Sequence, residues 1–468
     1  MTELQPIAGS FRDPAARVYA SGDHIFRGVD AVTLANFQEL KETEFFRREA
    51  RRGRIIGTRV LNKSDPRAAA VIAQGWAGVL EHDRLPLLSY PYEWTFSMLK
   101  DAAILHLELL EEAIMAGWII KDSTPYNIQF VGSSPLFIDT PSFVPRPPGD
   151  YWRAYRQFCM LFLYPLMVTA YRGISFQPIL RGSLDGIPPA QAAGFFTGLS
   201  RFKKGVLTQV WFPAAMERRL ETVRCGGAAA NKRKLQSDAM VLGLVQSMQR
   251  IVAALKTGSS SSLWANYTQT HSYDDNSLDE KRSLVANLAI ADRYGIVWDL
   301  GCNTGTFSEL LKQRADYVLS VDGDQECVDR FYQRLRARGD NQVLPLFMNL
   351  ADPSPSQGWA NAERAAFDKR NKPDLILALA LIHHICLSNN IPIPAFLDWL
   401  QGTGANLIIE FVTRDDDMVK AMLARKSEAY KAYDLLSFEQ ELHRRYEVKS
   451  SAVLKEGARK IYYCKPRS

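Results

Sequence analysis

The chain has 468 residues, enough for two or three domains with substantial cores, and its 47% apolar and 23% charged residues exclude bulk disorder. A net charge of +6 is too mild to demand a polyanionic partner, and nucleic acid is not expected. Six cysteines (Cys159, Cys225, Cys302, Cys327, Cys386 and Cys464) are scattered without a CxxC pair, which argues against a zinc site and against a disulfide framework.

The opening stretch, MTELQPIAGSFRDPAARVYA, has no apolar signal-peptide core, and a reducing cytoplasm is the expected compartment. RIIGTRVL (54–61) reads as a strand, and LPLLSYPYEW (85–94) as an extended connector. SMLKDAAILHLELLEEAIMAGW then predicts one long helix whose core stripe is Leu99, Ala103, Leu107, Leu110 and Ile114. After it comes IIKDSTPYNIQF, in which Asn127 follows Asp122 by five positions, and PLFIDTPSF, a short apolar run ending at Asp139. FCMLFLYPLMVTAY (158–171) is too short to span a bilayer, contains Pro165 and is flanked by Arg156 and Arg172, so a buried helix is expected. A basic cluster between residues 201 and 234 reads as a solvated helical face.

The Gly-Ser and polar stretch KTGSSSSLWANYTQTHSYDDN (256–276) predicts a linker between domains at 1–255 and 277–468. Beyond it, GIVWDL, DYVLSVD, VLPLFMNL, PDLILALAL and ANLIIEFV alternate with helical patterns, the rhythm of a parallel sheet buried on both faces. YEVKSSAVLKEGARKIYYCK closes the chain as an antiparallel hairpin around Glu456-Gly457. Strand one ends in Asp299-Leu300-Gly301-Cys302-Asn303-Thr304-Gly305 and then a helix opens, while strand two ends in Asp322, placed to accept ribose hydroxyls. A nicotinamide site wants G-x-G-x-x-G around a pyrophosphate. Here the glycines stand four apart behind an acid that repels phosphates and welcomes an ammonium.

That run resembles motif I of class I S-adenosylmethionine-dependent methyltransferases. The resemblance implies a Rossmann-like α/β domain with a seven-stranded, mostly parallel sheet and a terminal antiparallel hairpin. It also implies that Asp299, Gly301, Cys302, Asn303 and Gly305 line the methionine end of S-adenosyl-L-methionine. Asp322 and Gly323 would then lie at the ribose, and Asn349 and Leu350 at the adenine. Strand four runs into His383 and His384 at the rim of such a site, where a histidine could act as a general base, and Glu410 ends strand five. Glu410 could orient a histidine, bind a polar substrate or be a plain surface carboxylate. Asp415 to Asp417, beside Arg414, read as a helix cap rather than a metal site.

In the first half, Asp122, Asn127 and Asp139 resemble the base and two metal ligands of a kinase-like C-lobe, which implies a helix-rich α+β accessory domain. Ile120-Lys121 and Thr140-Pro141 replace the His-Arg and Phe-Gly of that pattern, and no G-x-G-x-x-G precedes them. Nearly end to end, phrases such as SYPYEWTFSMLKDAAILHLELL, KDSTPYNIQF, WRAYRQFC, WDLGCNTGTFS and LALALIHHI are similar to bacterial methyltransferases related to the nodulation protein NoeA. That resemblance implies methyl transfer to a small-molecule or glycan acceptor, including a lipid-linked sugar. Two alternatives stay open: a bifunctional protein whose first half also binds magnesium-ATP and transfers phosphate, and a non-catalytic S-adenosylmethionine binder.

Overall fold

The computed structural model describes residues 3–225, 236–258, 275–289, 292–424, 426, 433–454 and 457–467. The chain opens on an antiparallel sheet built from β1 (Gln5–Pro6), β2 (Ala16–Ser21), β3 (His24–Val29), β4 (Thr58–Val60) and β5 (Gly78–His82), in the order β1-β2-β3-β5-β4. Only the β4 stretch had a clear strand signal. The others are short and carry charges that the sheet pairs across strands: Glu81 of β5 accepts from His24 of β3 and Arg59 of β4. Between β3 and β4 lie helices Ala31–Leu40 and Glu44–Arg51, each capped by a side chain (Asp30 and Thr43) that accepts a backbone N–H.

An extended connector leads to helix Phe96–Met115, and the predicted stripe Leu99, Ala103, Leu107, Leu110 and Ile114 is buried along it. Two small antiparallel ribbons follow, β6 (Trp118–Ile120) with β9 (Phe143–Pro145) and β7 (Ile128–Val131) with β8 (Ser134–Phe137). The apolar run predicted as a buried helix is one, with a π turn at Cys159–Leu163 that readies it for Pro165.

The second half is a seven-stranded sheet in the order β12-β11-β10-β13-β14-β16-β15. Its strands are β10 (Tyr294–Leu300), β11 (Ala315–Asp322), β12 (Val343–Phe347), β13 (Leu375–Ala378), β14 (Asn406–Val412), β15 (Tyr446–Leu454) and β16 (Arg459–Pro466). The first five are parallel, and the closing hairpin inserts β16 antiparallel to β14. The chain leaves β10 toward β11 and returns on its other side as β13, so a crevice opens at the carboxyl ends where the order reverses. Strand four was expected to run through PDLILALAL. It ends at Ala378 because Ala380 takes a left-handed φ of 49°.

Of the expected linker, residues 259–274 lie outside the described residues, as does Glu456 of the hairpin turn. The two halves share one apolar core, in which the Phe130 ring contacts both Trp94 and Tyr332. Helix Phe96–Met115 meets helix Gln325–Ala337 through the Tyr332 hydroxyl, which donates to Asp101 at 2.7 Å, and through Ser97, whose N–H and hydroxyl both donate to Asp329. No described helix is long and apolar enough to cross a membrane.

Candidate active site

The turn after β10 is held by backbone geometry that few residues tolerate. Gly301 and Gly305 have φ of 80° and 84°, and Asn303 between them has 49°. Its amide donates to the Asp322 Oδ2 at 2.8 Å, so the acid that ends β11 fastens the glycine turn. The other Asp322 oxygen accepts from the Asp324 N–H at 2.8 Å, and Asp324 in turn caps helix Gln325–Ala337. Each oxygen keeps a lone-pair direction for a ligand hydroxyl. Asn303 Oδ1 is buried without a hydrogen-bond partner, an acceptor awaiting a donor.

Asp299 is buried beneath this turn. The parallel register places Ser320 of β11 beside it, and Ser320 donates to Ser308 Oγ (2.8 Å), which donates to Asp299 Oδ2 (2.5 Å). Burial pushes the Asp299 carboxyl up to about 6 against the pull of the Ser308 bond, with the nearby Asp322 adding to the rise. Asp322 is also raised by burial, while the amides of Asp324 and Asn303 oppose it.

The two glycines do different work. A Cβ on Gly301 would only touch Leu381, whereas one on Gly305 would overlap the Phe331 ring. Gly305 thus lets helix Gln325–Ala337 pack against the turn. Gly305→Ala is expected to cost about 3 kcal/mol from the left-handed backbone and the overlap together, read as a lower urea midpoint at unchanged m. The Cys302 thiol is buried and directed at the Asn303 carbonyl (3.6 Å). Gly323 and Asn349 are exposed, Leu350 is half-buried, and Asn349 Oδ1 accepts from the Ala351 amide.

Inside β14, which runs on past Glu410 to Val412, and against β16 and helix Asp275–Ala289 lies a cluster whose pairing sequence patterning missed. Glu410 is fully buried and not at the surface: Lys281 donates to its Oε2 at 2.5 Å and Arg459 approaches its Oε1 at 3.4 Å. Arg459 also grips Asp416 through two donors, at 2.9 and 3.0 Å, while Asp416 caps helix Asp417–Leu423. Two cations and two anions so compensate one another in the interior. The signal was present, since Lys281 stands four residues before Val285 and eight before Ala289, both buried. Arg459 likewise alternates with buried Ile461 and Tyr463.

His383 and His384 lie alongside with ring centroids 4.2 Å apart, and the buried His383 Nδ1 has no hydrogen-bond partner. Burial pushes them down to about 3 and about 4, so both are neutral near pH 7.

In the first half the structure also brings Asp122, Asn127 and Asp139 together. Asn127 Nδ2 donates to Asp139 Oδ2 at 3.3 Å, and Asp122 is raised by burial and by the Asp139 charge. Arg27 of β3, which the sequence did not single out, forms an ion pair with Asp139. Among the described residues, no group of three or more His, Cys, Asp or Glu side chains is arranged to hold a metal.

S-adenosylmethionine fits the second-half site. It has cationic ammonium and sulfonium groups for a turn flanked by Asp299 and Asp322, a ribose for the Asp322 lone pairs, and no phosphate to be repelled. Strand order, glycine turn and acid together define a class I S-adenosylmethionine-dependent methyltransferase.

The chain belongs to the family of the nodulation protein NoeA. It is 31% identical to that protein from Rhizobium meliloti (strain 1021) over 458 residues, which covers 97% of this chain and 95% of the relative. No protein-family model matches. Three solved structures are each similar to less than half of the chain. N-methyltransferase NodS from Bradyrhizobium japonicum WM9 with S-adenosyl-L-homocysteine is 10% identical, covering 45% of this chain and 94% of its own (TM-score 0.33). A SAM dependent methyltransferase from Aquifex aeolicus is 14% identical, covering 44% and 98% (TM-score 0.31). Magnesium protoporphyrin IX methyltransferase (ChlM) from Synechocystis PCC 6803 with bound SAH is 15% identical, covering 41% and 84% (TM-score 0.30).

Proposed function

We propose that this methyltransferase acts on a hydroxyl or amine of a glycan or lipid-linked sugar, the acceptor class that the family resemblance implies. The observation that carries the catalytic part is the neutral pair His383 and His384 at the carboxyl ends of the central strands. When bound, S-adenosylmethionine supplies an electrophilic methyl on a sulfonium, a leaving group that needs no acid. The protein has only to align the acceptor and take its proton. A neutral imidazole offers a lone pair that accepts a hydrogen bond from the acceptor and adds no positive charge to oppose the sulfonium, and basicity depressed to about 3 or 4 suits it to orient the acceptor while the proton passes on to solvent. Asp322 would hold the ribose, and Asp299, Gly301, Cys302, Asn303 and Gly305 would shape the methionine end. Gly323, Asn349 and Leu350 would border the ribose and adenine. Glu410, clamped by Lys281 and Arg459, would position the histidine loop rather than touch the acceptor.

The test is binding of S-adenosylhomocysteine by calorimetry from pH 5 to 8. A carboxyl raised to about 6 is protonated below that pH and loses its attraction for the ligand ammonium, so affinity is expected to fall as pH drops through 6. Asp299→Asn should flatten the slope, and an unchanged slope would refute the assignment. For the acceptor, labelled methyl should enter the glycan or lipid-extractable fraction of a cell extract. Label confined to protein or RNA would overturn the acceptor class, and no S-adenosylhomocysteine formed with any extract would favour a non-catalytic binder.

A second reading, nucleotide-dependent phosphate transfer, has the convergence of Asp122, Asn127 and Asp139 in its favour. The Arg27 ion pair stands where a cation would be wanted on Asp139, which supports a scaffold role instead.

A further inference from the structure

One edge of the first half presents apolar side chains that no core requires. It consists of the 3-10 turn Gly198–Phe202 and the π turn Leu207–Trp211, which runs into helix Phe212–Cys225. Ser200, Val206, Val210 and Ala214 face inward and are buried. The opposite side carries Leu199 (87% exposed), Phe202 (67%), Leu207 (45%), Phe212 (65%) and Met216 (49%).

Their spacing is not random. Residues three apart align along a 3-10 turn, so Leu199 and Phe202 share an edge. Leu207, Phe212 and Met216 are separated by one π turn and then one α turn, which places them in a line. Large side chains clustered on a surface mark an interaction site, whereas scattered ones do not.

The charge around them is one-sided. Arg201, Lys203, Lys204 and Arg218 are exposed among these apolar groups, and the neighbouring acid, Glu217, is engaged by Arg156 at 2.6 Å. In sequence, residues 198–234 hold nine Lys or Arg against two Asp or Glu. That surplus of seven exceeds the +6 of the whole chain, so the remainder is slightly acidic. Basic residues interleaved with Leu, Phe and Met are the composition of a surface that lies in the interface of an anionic bilayer. Of the five apolar groups only Phe202 and Phe212 have a plane to stack on bases and the other three are aliphatic, which favours a lipid boundary over single-stranded nucleic acid, and lysine is depleted from protein–protein interface cores.

We propose that the Leu199–Arg218 edge docks the enzyme on membranes whose headgroups are anionic. The apolar row enters the headgroup boundary, and Arg201, Lys203, Lys204 and Arg218 meet the lipid phosphates. This inference does not depend on the acceptor assigned above.

The experiment is cosedimentation of the full chain with vesicles of phosphatidylcholine alone and of phosphatidylcholine mixed with phosphatidylglycerol. Binding is expected only to the mixed vesicles and should weaken with salt. Leu199→Glu/Phe202→Glu and Lys203→Glu/Lys204→Glu should each reduce it by about tenfold or more. Both side-chain pairs point into solvent, so melting temperature and S-adenosylhomocysteine affinity should match the unaltered protein and exclude misfolding as the cause. Absence of vesicle binding, or binding that survives both double substitutions, would overturn the proposal. So would retention of single-stranded RNA, in preference to vesicles, that the lysine pair abolishes and the Leu199/Phe202 pair leaves intact.

Discussion

Asp322→Ala is expected to weaken S-adenosylhomocysteine binding roughly a hundredfold or more, since two hydrogen bonds to a charged acceptor are lost at about 1.5–3 kcal/mol each. The substitution removes two things at once: the acceptor proposed for the ribose hydroxyls and the oxygens that hold the Asn303 and Asp324 amides. Asp322→Asn separates them, because its carbonyl oxygen can still accept one amide while the charge is gone. An intermediate loss for Asn, with an unaltered far-ultraviolet spectrum, assigns the greater part of the effect to the ligand. Asp122→Ala is the internal control and should leave the affinity where it was. Unchanged binding by Asp322→Ala would remove the ribose assignment altogether.

Glu410→Gln should be the most destabilising polar substitution in the second half, at about 3–5 kcal/mol. The magnitude comes from what is left behind. Lys281 is nearly inaccessible and lowered by burial, and Glu410 is the strongest charge opposing that lowering, so its loss favours deprotonation or entry of water. Arg459 keeps Asp416 and suffers less. The double substitution Lys281→Met/Glu410→Gln should therefore cost less than the sum of the single ones, a coupling that urea unfolding of the four proteins would measure. Additive losses would mean that the pair is not the buried clamp its 2.5 Å contact implies.

The parallel strands were legible because both their faces are buried, which writes near-continuous apolar runs such as YVLSV and LIIEFV into the sequence. The glycine turn and Asp322 were legible for a related reason, since a tight left-handed turn restricts residue choice. The first sheet was legible only at RIIGTRVL, which holds β4. Its strands ARVYAS, HIFRGV and GVLEH are short and hold Arg, His and Glu, whose partners lie on neighbouring strands far away in sequence. Glu410 was visible in a strand, yet its burial depended on Lys281 and Arg459, 129 and 49 residues distant. Arg27 escaped notice likewise, because nothing local ties it to Asp139, 112 positions on.

The helix that begins at Gln325 has its amino end tied to Asp322 and its flank seated on the first half. A catalytic domain cut free at the seam would lose that buttress, exposing Tyr332 and leaving the Asp322 loop to drift. The first half thus acts as a foundation stone: through Asp101 and Ser97 it braces the helix that follows the Asp322 loop. Variation in the surface of helix Phe96–Met115 would then retune methyl-donor affinity from a distance, which gives natural selection a dial outside the active site.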